Sequence, residues 1–202
     1  MKTTTGKGTG TDDAVLDTRE RIVRAASRLM QRQGYDGTGI KQISQEAEAT
    51  LGSLYHFFPG GKQELAVAAI RHGDEEFADI LRGALDSAED PGEALVACTT
   101  TLAEILRVSD WTDGCPVTAT ALGTAGRAPD IQQAAAEAFA RWRGLVHAKL
   151  TAAGFADDDA RDLAHTVIST LEGAELAAQV SRSEEPLHTA GRHLARLIAC
   201  YR

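Results

Sequence analysis

Residues Thr38–Leu65 read TGIKQISQEAEATLGSLYHFFPGGKQEL, and the spacing of their apolar positions decides the fold. Ile40, Ile43 and Ala47 recur at helical intervals behind Thr38, which can cap a short helix. Thr50 can cap a second, in which Leu54 and Phe58 lie one turn apart. Between them the gap at Glu48 and Ala49 leaves a turn of only a few residues. Upstream, Asp17–Gln33 carries Ile22, Ala25, Ala26, Leu29 and Met30 on one stripe, with Arg21, Arg24, Arg28 and Arg32 elsewhere, and Gly34 can end that helix. Two short helices across so tight a turn, behind a longer supporting helix, describe a helix-turn-helix unit.

The inward direction of Leu54 and Phe58 leaves Ser53, Tyr55 and His56 facing solvent or a partner. Two hydroxyls and an imidazole can all donate to phosphate oxygens or base edges. Gly52 has no side chain and lets backbone approach a groove wall, and Lys62 adds a positive charge at the same edge. The competing reading is a packed aromatic turn in which Tyr55 serves a neighbouring carbonyl. DNA contact is the favoured one.

The same stretch resembles the DNA-binding domain of the TetR family of bacterial repressors. Thr38, Ile43, Ala47, Thr50, Gly52, Leu54, Tyr55, Phe58 and Lys62 all fall on that family's pattern, which includes Gly-x-Leu-Tyr-x-x-Phe followed by a Lys. The extended FFPGGK and the later Asp113-Gly114-Cys115-Pro116 resemble the LmrA/YxaF-like branch. Two positions depart from the pattern: Glu48 stands where the turn commonly has Gly, and Thr50 where Ser is commoner. The resemblance implies that Thr38, Tyr55 and Lys62 hold phosphates while Ser53, His56 and the backbone around Gly52 approach bases, with Thr50 capping the helix that presents them. It also implies a homodimer on a double-stranded, palindromic operator, and an effector of antibiotic or flavonoid type.

The charge distribution agrees with two jobs in one chain. The net charge is −8, yet residues 1–72 carry ten Lys/Arg against eight Asp/Glu and residues 73–202 carry eleven against twenty-one. A mildly basic front and a strongly acidic remainder suggest that only the front faces phosphates. The opening MKTTTGKGTG is polar, with no apolar core of a secretory signal, so residues 1–11 are expected to form a mobile tail. Residues 12–61 then form the DNA-binding unit and 62–202 a helical effector-binding and dimerisation domain, giving an all-α fold. No apolar run is long enough to span a bilayer. Cys98, Cys115 and Cys200 are odd in number, widely spaced and free of metal or redox motifs, which fits a reducing cytoplasm.

In the acidic part Asp90-Pro91-Gly92-Glu93 reads as a helix start, Gly114-Cys115-Pro116 as another, and Pro129-Asp130 opens a long helix through Leu150. Helices near 157–182 and 186–201 complete the chain. Leu163, Val167, Ile168, Leu171, Ala174 and Ala178 line one face; Leu187, Ala190, Gly191, Leu194, Ile198 and Tyr201 line another. These faces either pack on the body of the same subunit or, as the resemblance implies, form a four-helix dimer seam, which is the expectation adopted. Trp111, Cys115, Phe139, Trp142 and His147 are large or polar-tipped groups that one apolar effector cavity could use, against the simpler reading that each is core or surface. A helix N-terminus at Cys115 would lower its thiol pKa, but the favoured reading of this residue is an inert, half-buried cysteine.

Enzymatic chemistry is not visible. The six histidines lack metal-ligand spacing, and Gly-x-Ser-x-Gly, P-loop and dinucleotide fingerprints are all missing, so neither metal nor cofactor is expected. The reading is a dimeric transcriptional regulator, a repressor released from its operator by a small, largely apolar or aromatic ligand. The alternative is a DNA-binding regulator without an effector, controlled by a protein partner or by abundance.

Overall fold

A computed structural model describes residues 17–201, so the tail expected over 1–11 lies outside the described residues. Regular structure among the described residues is entirely helical. Helix α1 (Thr18–Gly37) starts where the Asp17 carboxylate accepts the Glu20 N–H at 2.9 Å, satisfying a donor the first turn would leave free. Its stripe of Ile22, Val23, Ala25, Ala26 and Met30 is buried. At Gly34 the backbone swings to φ 68°, ψ 175°, a conformation open to glycine, and the regular helix ends there.

Thr38 does not cap the next helix. Its hydroxyl donates backwards to the Gly34 carbonyl at 2.8 Å, because the swing at Gly34 leaves that oxygen without an intrahelical donor. Gly39 therefore takes the N-cap position of α2 (Ile40–Glu46), with no side-chain bond. In the turn to α3 (Leu51–Phe57), Glu48 adopts φ 48°, the left-handed conformation that glycine reaches at lower cost. The Ser44 hydroxyl donates to Ala49 O at 2.6 Å, and Arg21 Nε reaches from α1 to Ala47 O at 3.1 Å, so the turn is held from both sides. Thr50 caps α3 as expected, accepting from Ser53 N at 3.0 Å.

Helix α4 (Gly61–Asp86) runs from this unit into the body, burying Leu65, Ala69, Phe77 and Leu81 along its length. The body adds α5 (Pro91–Val108), α6 (Pro116–Leu122), α7 (Pro129–Ala152), α8 (Asp157–Ser181) and α9 (Glu185–Cys200). Asp90 caps α5 by accepting from Glu93 N at 2.9 Å, with Pro91 at its first position. α7 packs on α4 and α8, α9 on α5 and α8, and α1 on both α4 and α6. The α4–α7 seam is fastened by a buried polar clamp. Asp74 accepts from Trp142 Nε1 at 2.8 Å and from Arg141 Nη1 at 3.0 Å, and the Trp142 ring makes tilted contacts with Phe77 and Phe139. A fully buried indole N–H needs such an acceptor.

The faces expected at a dimer seam belong to this core instead. Leu163, Val167, Leu171, Leu187, Ala190, Leu194 and Ile198 are all buried inside the protomer, and Ala174 is half-buried against the same cluster. Gly191 is spent on the crossing of α9 over α5: a Cβ there would run into Thr99 Oγ1 and lie 3.4 Å from Val96 Cα. Tyr201, read as part of that face, is exposed beyond the end of α9. Apolar stripes at helical spacing identify the buried face of a helix, and the protomer's own α5 and α7 occupy it first.

Candidate nucleic-acid interface

The outward face of α3 is built by subtraction. Leu54 and Phe58 are 0% and 1% exposed and hold the helix on α1 and α2, with the Arg19 guanidinium over the Phe58 ring at 5.3 Å. What remains outside is Leu51, Gly52, Tyr55 and His56, with Ser53 half-exposed. Tyr55 is 50% exposed, and neither its hydroxyl nor the His56 ring nitrogens form a hydrogen bond with any described residue. His56 leans edge-on against Phe57, with ring centroids 5.1 Å apart, which steadies its direction. Ser53 and Thr50 share a hydroxyl–hydroxyl bond of 2.9 Å, so both are occupied by the cap and keep limited capacity for a partner.

Gly52 is informative because the fold does not require it. A Cβ at this position would meet only Thr50 Oγ1, at an ordinary 3.7 Å. Nothing within the described residues excludes a side chain there. Lys62 stands at the start of α4, its ammonium 4.3 Å from the centroid of the Tyr35 ring. Partial burial there draws its pKa below the usual lysine value, with Asp36 opposing the shift. The structure therefore gathers Thr50, Gly52, Ser53, Tyr55, His56 and Lys62 about one helix and its flank. Thr38 does not join them: its side chain is 1% exposed and its proton is committed to Gly34.

The five residues expected to share an effector cavity do not converge. Trp142 is sealed in the core, Phe139 packs beside it, and Trp111 sits in the α5–α6 loop at φ 65°. His147 lies at the far side, its Nε2 2.8 Å from Asp157 Oδ1. Cys115 caps α6, accepting from Thr118 N at 3.4 Å, yet its thiol pKa is raised well above the ordinary value. Part of the residue reaches the surface but the sulfur is enclosed, and burial beside Glu172 and Glu175 outweighs the helix N-terminus. The lowering that a helix N-terminus alone would give is thereby reversed.

A cleft of ≈ 820 Å³ opens instead between α1, α4, α5 and the start of α6. Leu29, Phe77, Leu102 and Ile105 give it apolar walls, and Glu175 lies in its lining. On its rim Arg32 grips Asp113 with bonds of 2.5 and 3.0 Å, which holds that carboxyl below its usual range, and Gln31 Nε2 donates to Gly114 O at 2.5 Å. Gly73 lets α4 close on α6, since a Cβ there would lie 2.6 Å from Pro116 Cγ. The cleft thus spans the helix that supports α3 and the body. Sequence reading missed its walls because they come from separate helices, but one signal was legible: Glu175 falls between Leu171 and Ala178 on the stripe read as buried.

Known proteins match this arrangement over nearly its whole length. Residues 22–69 match the family described as bacterial regulatory proteins, tetR family, and residues 91–193 match the transcriptional regulator LmrA/YxaF-like C-terminal domain. The HTH-type transcriptional regulators YxaF and LmrA of Bacillus subtilis are 34% and 33% identical, over 85% of this chain and 90% and 91% of theirs. Among solved structures, the regulatory protein TetR from Rhodobacter sphaeroides superposes with a TM-score of 0.78 at 25% identity, covering 89% of this chain and 97% of that one.

Proposed function

The chain belongs to the TetR family of bacterial regulatory proteins, in its LmrA/YxaF-like branch, and from that membership we infer that it is a cytoplasmic, dimeric repressor released from a palindromic operator by a small, largely apolar ligand. It is a DNA-binding transcriptional regulator and not an enzyme. The observation that carries the finer reading is the face of α3, where Tyr55 and His56 stand exposed, with no hydrogen-bond partner for their polar tips among the described residues, beside a glycine at which a Cβ would meet no close contact. Hydroxyl and ammonium groups at Tyr55 and Lys62 suit phosphates and fix the helix in the major groove, while His56 and the Gly52 backbone approach base edges.

Two such helices must meet half-sites about 34–36 Å apart, which calls for a two-fold dimer. With the inner stripes of α8 and α9 used inside the protomer, the outer stripe of α8 is the surface for a second copy. Ser169, Gly173, Leu176 and Val180 follow one another at helical spacing there, and Leu176 and Val180 are 57% and 78% exposed. A ligand in the 820 Å³ cleft touches Leu29 of α1 and Phe77 of α4 together, so filling it shifts the DNA unit against the body. Release follows only from different ligand affinity in the two arrangements, and a coupling of roughly 1–3 kcal/mol gives about 5–150-fold weaker DNA binding.

The test is a titration of varied aromatic compounds against protein bound to an operator selected from random duplexes. Release by a compound whose binding is lost in Phe77→Ala is expected. Compounds that bind in the cleft and leave operator affinity unchanged would contradict the coupling.

A further inference from the structure

Where α6 begins beside α8, the chain encloses three metal-ligating side chains that DNA binding does not explain. Cys115 Sγ and carboxylate oxygens of Glu172 and Glu175 all lie within 4.8 Å of one another. They border a small cavity of ≈ 100 Å³, walled also by Gln31, Thr118 and Gln179. Glu175 is 6% exposed, and burial beside Glu172 pushes its carboxyl pKa up to about 8. Glu172 accepts from Thr118 Oγ1 at 2.6 Å through Oε2, while its Oε1 is buried with no partner. A buried acceptor left unpaired costs free energy, and two carboxylates sharing a site repel each other. Something cationic, or a proton, must answer both.

We propose that Cys115, Glu172 and Glu175 form a binding site for a divalent transition-metal cation of zinc type. The donor set fits: one sulfur and two carboxylate oxygens suit an ion of intermediate softness and exclude the all-oxygen cages of calcium and magnesium. Ligands about 2.0–2.3 Å from a tetrahedral ion stand roughly 3.3–3.8 Å apart, a modest contraction of the spacing present. Such an ion binds the orphaned Glu172 oxygen, sets an opposite charge beside the buried Glu175 carboxylate and offsets the repulsion between the two. The thiol releases its proton to solvent as the metal–sulfur bond forms, and a carboxyl that is protonated beforehand does the same as its oxygen ligates. Thr118 then acts as an outer support, fixing the Glu172 carboxylate from behind. Burial pushes the pKa values of all three groups up; the neighbouring carboxylates add to the shift at Cys115 and Glu175, while hydrogen bonds from Thr118 and Cys115 oppose it at Glu172. Glu175, Gln31 and Gly114 line both this small cavity and the larger cleft.

Sequence could not reveal the site. The thiol and the carboxylates lie more than fifty residues apart and conform to no ligand-spacing motif. Nor does the proposal depend on operator binding, so it can fail while the regulator reading stands.

The experiment uses the full chain, freed of metal by chelator, titrated with Zn²⁺ in calorimetry and with Co²⁺ in absorption. One ion per protomer is expected, with a near-ultraviolet sulfur-to-cobalt charge-transfer band. Cys115→Ser should abolish that band. Glu172→Gln and Glu175→Gln, which keep volume and remove charge, should each weaken Zn²⁺ binding at least tenfold while circular dichroism stays unchanged. Cys200→Ser, at an exposed thiol, should alter nothing. Zn²⁺ should raise the melting temperature of the wild type and not of the Glu175→Gln protein. Failure to bind either ion, or binding that survives both Cys115→Ser and Glu175→Gln, would overturn the proposal and leave the carboxyls neutralised by protons.

Discussion

Gly52 and Lys62 separate two kinds of contact that one exposed face can make. A methyl at position 52 meets nothing closer than 3.7 Å within the chain, so Gly52→Ala should leave the melting temperature within a degree or two of wild type. The same methyl stands between α3 and a groove wall, and operator affinity in fluorescence anisotropy should fall at least tenfold, about 1.4 kcal/mol. Unchanged affinity would mean that the backbone there does not approach DNA. Lys62→Ala should weaken specific and random duplexes alike and lower the salt slope by about one unit, as the loss of a single phosphate contact does. Glu48→Gly tests the turn: relieving φ 48° at a non-glycine residue should stabilise the fold by up to about 1 kcal/mol in urea, offset in part by the freer unfolded chain. The strain at Glu48 was readable from sequence because the family pattern puts glycine there. The direction of Thr38 was not, since it depends on the swing at Gly34 and on which carbonyl that swing leaves open.

At the scale of elements, local capping chemistry was legible and lateral packing was not. Thr50 and Asp90 each cap the helix that follows, as read, because the cap bond closes within three residues; Thr38 does not, because its hydroxyl turns back to Gly34 O. The clamp of Asp74 on Trp142 joins residues 68 apart in sequence, and no local pattern announces a carboxylate in the apolar face of α4. Its energetics are nonetheless definite. Asp74→Ala would leave the buried indole N–H without an acceptor, and a loss of about 1–3 kcal/mol in urea unfolding followed by circular dichroism is expected. Arg141→Ala, whose side chain is 40% exposed, should cost much less. Equal losses from the two would show that the ion pair, and not the indole bond, fastens α4 to α7. The same blindness to lateral partners placed the inner stripes of α8 and α9 at a dimer seam. Periodicity tells which face of a helix is buried but not what covers it.

For the whole molecule, the account joins two exposed surfaces at opposite duties: α3 toward DNA and the outer stripe of α8 toward a second copy. Leu176→Glu and Val180→Glu put charges on positions that are open in the protomer, so each should give a folded monomer in sedimentation with weakened operator binding. Leu194→Glu, buried at 3% exposure, should instead unfold the protomer. A stable dimer in both outer-stripe variants would move the interface elsewhere. The central claim remains that α3, presented twice by a two-fold dimer, reads a DNA sequence. Selection of bound fragments from random duplexes, carried out in parallel with wild type and His56→Ala, tests it most directly. The account predicts an inverted repeat with half-sites about one helical turn or a multiple of it apart, and the same repeat with an altered preference at one base per half-site for His56→Ala. No enriched repeat, or motifs identical in the two proteins, would contradict it.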